Sequence, residues 1–374
     1  MSIEQGPIRP PSEAESLFIR VTRNCPWNKC LFCPAYKGQK FSRRTVQEIK
    51  EDINFLKEAA VKVKAYALRL GSGVHITRET MELIYRQEPS LFHVAFWLYR
   101  GGKNVFLQDA DNLVMPAEQL AEVISYLKEH FPTVERITTY ARAKTVSRRS
   151  VSELKMLQEA GLSRVHIGLE TGHDPLLLYM RKGVTAEEHI RAGLKIKEAG
   201  LSLSEYVVLG LGGRQMWREH ALDTARVLSI IDPHFIRVRT LSMREGIPLL
   251  EKVQSGEFQP LKDDEIVREE RLFLDNLTGT GYFISDHILN LLEEVEGSLF
   301  HDKPAMIGVI DRYLDMPAEK RVNFRLGRRL GVYRYLRDMG DAGRYSQMEA
   351  LRKRLQEEGR DEDEFLEEYR GRYL

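Results

Sequence analysis

The chain holds three cysteines in 374 residues, and all three lie in one stretch, Asn24-Cys25-Pro26-Trp27-Asn28-Lys29-Cys30-Leu31-Phe32-Cys33. The pattern is C-x4-C-x2-C. An odd number of cysteines with none elsewhere to pair argues against a disulfide framework, and cytoplasmic residence follows as the default. Closely spaced thiolates are soft ligands, and an iron–sulfur cluster is the centre they suit best. A [4Fe–4S] cluster usually takes four thiolates, so three would leave one iron open to a substrate or cofactor. A catalytic cluster needs that opening, whereas an electron carrier does not. Two other readings stay open on the same residues: a Cys3His zinc knuckle, for which the nearest histidine is the distant His75, and unligated thiols.

Residues of this kind need elements to hold them, and the hydrophobic pattern supplies a regular alternation. Short apolar runs at 17–21, 104–107, 134–140, 164–169, 204–209 and 235–240 read as strands. Between or after them, 45–63, 117–130, 150–160, 186–199 and 217–230 carry apolar residues at three- and four-residue steps, as amphipathic helices do. Alternating strands and helices imply a parallel sheet with the working loops at the strand C-termini. The expected fold class is therefore α/β, a partial (β/α)6 TIM-like barrel over residues 1–255, with an insertion at about 66–102. From 256 to 374 the pattern predicts a helical C-terminal region, with helices at 263–276, 285–294, 302–314, 319–336 and 343–369.

Composition narrows the partners. Fifty-six Lys and Arg against 55 Asp and Glu give a net charge of +1, so no global field favours a polyanion. The first residues lack the apolar core of a signal peptide, and no apolar run approaches the ~20 residues of a membrane helix. Neither secretion nor a membrane partner is expected.

The cysteine loop after an apolar first strand, with Phe32 just before the last cysteine, resembles the radical S-adenosylmethionine (SAM) superfamily. Its usual spacing is C-x3-C-x2-C, one residue shorter between the first two cysteines. The turn Gly246-Ile247-Pro248-Leu249 after the sixth strand is similar to that of the Elongator protein 3 and methylthiotransferase group. The resemblance implies that Cys25, Cys30 and Cys33 hold a [4Fe–4S] cluster whose fourth iron chelates SAM. Reductive cleavage of SAM would then yield a 5′-deoxyadenosyl radical that takes hydrogen from an unidentified substrate. It also implies an electron donor of the reductase, ferredoxin or flavodoxin kind. With no further cysteine a second thiolate-held cluster is excluded, and no cobalamin-binding domain is expected.

The remaining site candidates stand at strand ends. By position, Gln108 and Asp109 replace the family's Gly-Gly-Glu, which holds the SAM amino group; helix N-capping is the other reading of Asp109 and Asp111. Arg142 ends the third strand, suited to a carboxylate through its planar fork or to a structural ion pair. Glu170 at the fourth strand end resembles the family's SAM-binding glutamate, with a structural carboxylate as the alternative. Gly210, in Gly210-Leu211-Gly212-Gly213, would lie beside the adenosine, unless these glycines serve only a turn. Arg239 marks the sixth strand, whose backbone reads adenine in the family. His287 is read as facing the site or as a buried or capping histidine. Arg321, Arg325, Arg328, Arg329, Arg334 and Arg337 form a run without an intervening acid. That run could meet RNA phosphates, although a solvated helix face paired with the acidic 357–368 tail is the favoured reading. A non-catalytic iron–sulfur or zinc protein and an RNA-modifying radical SAM enzyme remain the alternatives.

Overall fold

The computed structural model describes residues 3–243 and 245–370. The chain divides into two compact units. The first comprises Met1–Asn28, Ala35–Ile167 and Arg191–Leu203; the second comprises Lys29–Pro34, Gly168–Ile190 and Ser204–Leu374.

In the first unit four strands run parallel: β1 (Leu17–Arg20), β2 (Asn104–Gln108), β3 (Arg136–Ala141) and the opening residues of β4 (Arg164–Glu170). Side chains alternate between the faces of a strand. Leu17, Ile19, Val105, Leu107, Ile137, Val165 and Ile167 are buried on one face. On the other, Phe18, Phe106, Tyr140 and His166 form a ladder of rings, with Phe106 edge-on to Phe18 at 6.2 Å and to Tyr140 at 5.5 Å. The helices are α1 (Val46–Arg69), α2 (Arg78–Gln87), α3 (Phe92–Tyr99), α4 (Ala117–His130), α5 (Ala143–Arg148) and α6 (Val151–Ala160). Reciprocal capping boxes, Thr45 with Glu48 and Ser150 with Glu153, start α1 and α6. Gly161 ends α6 at φ 119°, where a side chain would be strained. The expected insertion at 66–102 is largely helical, formed by the end of α1 with α2 and α3. Buried Trp97 ties α3 to β2 through its indole N–H to the Asn104 carbonyl at 2.9 Å.

In the second unit β5 (Ser202–Leu209, from Ser204), β6 (Phe235–Thr240) and β7 (Tyr282–Ile284) run parallel, and β8 (Gly297–Ser298) pairs antiparallel with β7. The helices are α7 (Asp174–Tyr179), α8 (Ala186–Glu198, whose first residues lie here), α9 (Gly213–Ile231), α10 (Leu249–Gln254), α11 (Asp263–Asn276), α12 (Lys303–Leu314), α13 (Ala318–Arg329), α14 (Ala342–Glu357) and α15 (Glu362–Arg370).

The α/β expectation holds, with three corrections. Residues 285–294 are an irregular segment rather than a helix, and a further parallel strand, β7, precedes them. Buried Asn290 draws that segment onto the sheet, donating to the Val238 carbonyl at 2.9 Å and to the Ser285 hydroxyl at 3.0 Å. Helix α13 stops at Arg329 instead of reaching 336, because Gly331 turns the chain at φ 73°. Gly359, at φ 64°, likewise separates α14 from α15 within the expected 343–369 helix. Among the described residues no helix is long and apolar enough to cross a membrane.

Candidate functional site

Cys25 follows β1 in the first unit. Asn24 and Asn28 flank it in left-handed conformations, φ 68° and 47°, which asparagine tolerates better than most side chains. The Asn24 amide donates to the Lys40 carbonyl at 2.6 Å, Asn28 donates to the Tyr36 carbonyl, and the Asn28 N–H points to Cys25 Sγ at 3.4 Å. Arg142, at the start of α5, lays its guanidinium 5.1 Å from the centre of the Trp27 ring, a cation–π contact with this loop.

Gln108 and Asp109, at the end of β2, are both fully buried, and their side chains serve the fold. Gln108 accepts the Gly6 N–H at 2.9 Å and donates to the Gly6 and Ile8 carbonyls at 3.1 and 2.8 Å. Asp109 Oδ2 accepts from Arg20 Nε at 2.8 Å and from the Asn24 N–H at 3.0 Å, one residue before the first cysteine. Asp109 Oδ1 has no hydrogen-bond partner and faces Gly6, where a Cβ would lie 1.6 Å away. Glu4 extends the clamp by pairing with Arg20 and Arg23, each at 2.8 Å. Tyr36 is buried close by; burial first, then the Asp109 carboxylate, raise its phenol far above the usual range, against the opposing charge of Arg20. Asp111 and Asp109 do not cap α4, which opens on Pro116. Asp111 instead accepts the Arg142 N–H at 3.2 Å and the Thr145 hydroxyl at 2.5 Å, capping α5. Burial raises its carboxyl to about 6 against those bonds.

In the second unit Cys30 and Cys33 are half-buried. The backbone between them is held on both sides: the Leu31 N–H donates to the Met180 carbonyl at 3.1 Å, and the Leu31 carbonyl accepts the Leu249 N–H at 3.0 Å. Leu31 sits in a cluster with Leu176, Met180, Leu211, Leu241 and Phe258, and Phe32 packs against it. Glu170 stands at the end of β4 in a left-handed conformation, φ 64°, and accepts from Lys182 at 2.9 Å. The Lys182 ammonium also lies 5.7 Å from the Phe32 ring centre. Arg239 and Arg237 on β6 share Asp286, at 3.1 and 2.7 Å, and Arg239 covers the Tyr206 ring at 5.1 Å. His287 Nδ1 accepts the Leu289 N–H at 3.3 Å, the capping reading of that residue.

The pattern does not single out the buried carboxyls of this unit. Glu205 on β5 is fully buried with no hydrogen-bond partner for either oxygen; burial, then the charge of Glu170, holds it well above the carboxylate range, with Lys182 opposing. Glu269 and Glu270 on α11 are each raised to about 8 by burial. A glutamate inside a mostly apolar strand, Leu203 to Leu209, was the available signal for Glu205.

Within α13 the arginine run is not a solvated face, whereas Arg334 and Arg337 beyond it are exposed. Arg325, Arg328 and Arg329 are buried. Arg321 and Arg325 both bind Asp264 at 2.7 Å, Arg329 binds Asp263 at 2.7 Å, and Arg328 binds Glu293 at 3.2 Å. Of the tail acids, Asp363 takes part, 3.1 Å from Arg325; the side chains of 367 and 368 lie outside the described residues.

Donor chemistry supports a cluster: three thiols outside any disulfide on one short loop, with no other cysteine in the chain. Among the described residues no three His, Cys, Asp or Glu side chains are gathered as a metal-ligating group.

Comparison with known proteins gives the Radical SAM superfamily over residues 90–225. A tRNA uridine(34) acetyltransferase of Methanocaldococcus jannaschii is 23% identical over 279 residues, covering 71% of this chain and 49% of that protein. The uncharacterized protein YtqA of Bacillus subtilis is 22% identical over 171 residues, 46% of this chain and 52% of its own length. The chain thus spans about half the length of the curated relatives it matches. Among solved structures, the archaeal Methanocaldococcus infernus Elp3 with an N-terminal deletion aligns over 55% of each chain at 16% identity and a TM-score of 0.42.

Proposed function

We propose that this chain, a member of the radical SAM superfamily with homology to the Elongator-type proteins, cleaves SAM reductively to methionine and 5′-deoxyadenosine, taking hydrogen from a substrate. One observation carries the reading: the three cysteines of the chain stand half-buried, outside any disulfide, on the loop that follows β1. Cys25, Cys30 and Cys33 would hold a [4Fe–4S] cluster. When bound, cluster and SAM together supply one-electron chemistry that no side chain here can perform.

The residues of the chain prepare that loop. Asp109 holds it in place through the Asn24 N–H and Arg20, in place of the SAM contact expected from its position. Gln108 anchors the segment around Gly6 and is likewise removed from ligand contact. Trp27 and Arg142 shield the first half of the loop, and Leu31 and Phe32 fasten the second half to an apolar cluster. Glu170, with Lys182, and the turn at Gly210 are the residues we assign to SAM. Arg239 contributes through its backbone while its side chain is engaged by Asp286. A soluble reductase, ferredoxin or flavodoxin would supply the electron, in the cytoplasm.

Anaerobic reconstitution, iron and sulfide analysis and a 5′-deoxyadenosine assay test the reading. Wild type is expected to bind about four irons and to turn SAM over, and Cys30→Ala to lose the cluster. A fully loaded wild type that binds SAM and never cleaves it would overturn the enzyme reading and favour an electron carrier.

A second reading, an RNA substrate, is favoured by a groove of about 1480 Å³ in the second unit. Arg312, Lys320 and Arg337 line it without an ion pair among the described residues, and Tyr335 stacks between Arg334 at 5.1 Å and Arg337 at 4.6 Å. The name of the M. jannaschii relative points the same way. Salt-sensitive tRNA binding weakened by Arg337→Glu and Arg312→Glu would support it. Binding indifferent to both would remove it.

A further inference from the structure

The turn Gly210–Gly213 needs its glycines for more than backbone freedom. Gly210 adopts φ 81°, which strains any side chain, and Ile266 packs against it at van der Waals distance, 3.5 Å from where a Cβ would stand. A Cβ on Gly213 would lie 2.8 Å from both the Gln259 carbonyl and the Phe258 ring. The C-terminal part of the chain therefore packs directly on this turn. Ile266 and Glu269, one turn apart on α11, present the same face to Gly210. The Gly210 N–H donates to Glu269 Oε1 at 2.6 Å.

The turn is braced from α9 as well. His220 Nε2 can only donate to the Val208 carbonyl, at 3.1 Å, so its Nδ1 accepts from the Thr171 hydroxyl at 2.8 Å. One turn along, Thr224 accepts the Gly172 N–H at 2.9 Å. The ends of β4 and β5 are thus held through one neutral imidazole, and Glu269 lies 3.6 Å from its Nε2.

We propose that Glu269 is a positioning residue: a neutral carboxylic acid whose carbonyl oxygen fixes the Gly210 turn, so that the C-terminal helical region sets SAM affinity through one hydrogen bond. The proposal rests on the reading that Gly210 borders SAM. The charged and titratable groups facing Glu269 agree with a neutral acceptor. Glu270 beside it opposes ionisation. His220, driven down to about 4 first by burial and further by His173, offers no positive charge. Glu269 itself is held at about 8, chiefly by burial.

The test uses the full-length, cluster-loaded protein, with hydrogen exchange at Gly210 and SAM dissociation read together. Glu269→Gln keeps a neutral acceptor and is expected to leave Gly210 exchange and the SAM Kd within about twofold of wild type. Glu269→Ala is expected to speed Gly210 exchange and to raise the SAM Kd about tenfold, the order of one lost hydrogen bond, while turnover at saturating SAM changes little. Glu269→Gln that loses protection and affinity overturns the proposal, because an ionised acceptor would then be required; this variant decides even if Glu269→Ala fails to fold. Unchanged exchange in a folded Glu269→Ala also overturns it. A wild type that binds no SAM ends the functional reading, while the exchange data still decide the brace.

Discussion

The end of β2 in the first unit and the carboxyls on β5 and α11 in the second place acids in equally dry surroundings and treat them differently. Asp109 is fully buried, yet Arg20 and a backbone N–H meet one of its oxygens. Glu205 is as deeply buried and meets nothing, and Glu269 meets a single backbone N–H. A buried charge is tolerated when paired and hydrogen-bonded; otherwise the group takes up a proton. The first arrangement makes a paired and hydrogen-bonded brace for the cysteine loop. The second makes neutral acids, which can hold a backbone turn without attracting a counter-ion.

The strongest way to break this contrast is Asp109→Ala, which leaves the half-buried Arg20 guanidinium without its main partner. Loss of about 3 kcal/mol of unfolding free energy is expected in urea titration, together with poorer cluster loading. A loss below about 1 kcal/mol would mean that Glu4 alone satisfies Arg20.

The pH dependence of stability gives the next largest effect. The folded chain keeps protons on Glu269 and Glu270 that the unfolded chain releases above about 4.5. Their contribution is full below that pH and is lost as the pH rises through about 8. Thermal unfolding of the Glu269→Gln/Glu270→Gln variant should lack that decline between pH 5 and 8. An unchanged slope would show that both acids ionise in the folded state.

The smallest effect belongs to Glu205→Gln. A neutral amide replacing a neutral acid should shift unfolding free energy by less than about 1 kcal/mol at pH 7, whereas the same change at Asp109 should cost more. A large loss at Glu205 would mean that it is ionised and paired with Lys182.

Much of this was legible in the residues. Five helices of the alternating region, the six strands and the cysteine loop follow from periodicity and spacing, because a strand or helix that buries one face must repeat its apolar residues at the matching interval. The 285–294 segment misled: Ile288, Leu291 and Leu292 fall at helical steps, while Asn290 and Asp286 hold the segment against the sheet. The arginine run misled in the other direction. Its partners Asp263 and Asp264 sit at the start of α11, far away in sequence, so local charge could not reveal that the guanidiniums are buried.

Three thiols in C-x4-C-x2-C spacing and a strand–helix alternation were determined by the sequence alone, since both depend on residues close together in the chain. Which acids are charged was decided only by the tertiary structure. Asp109 owes its bracing role to its pairing with Arg20, and Glu269 its neutral one to burial on α11. Protonation depends on what surrounds a carboxyl in space, and those neighbours come from remote parts of the chain.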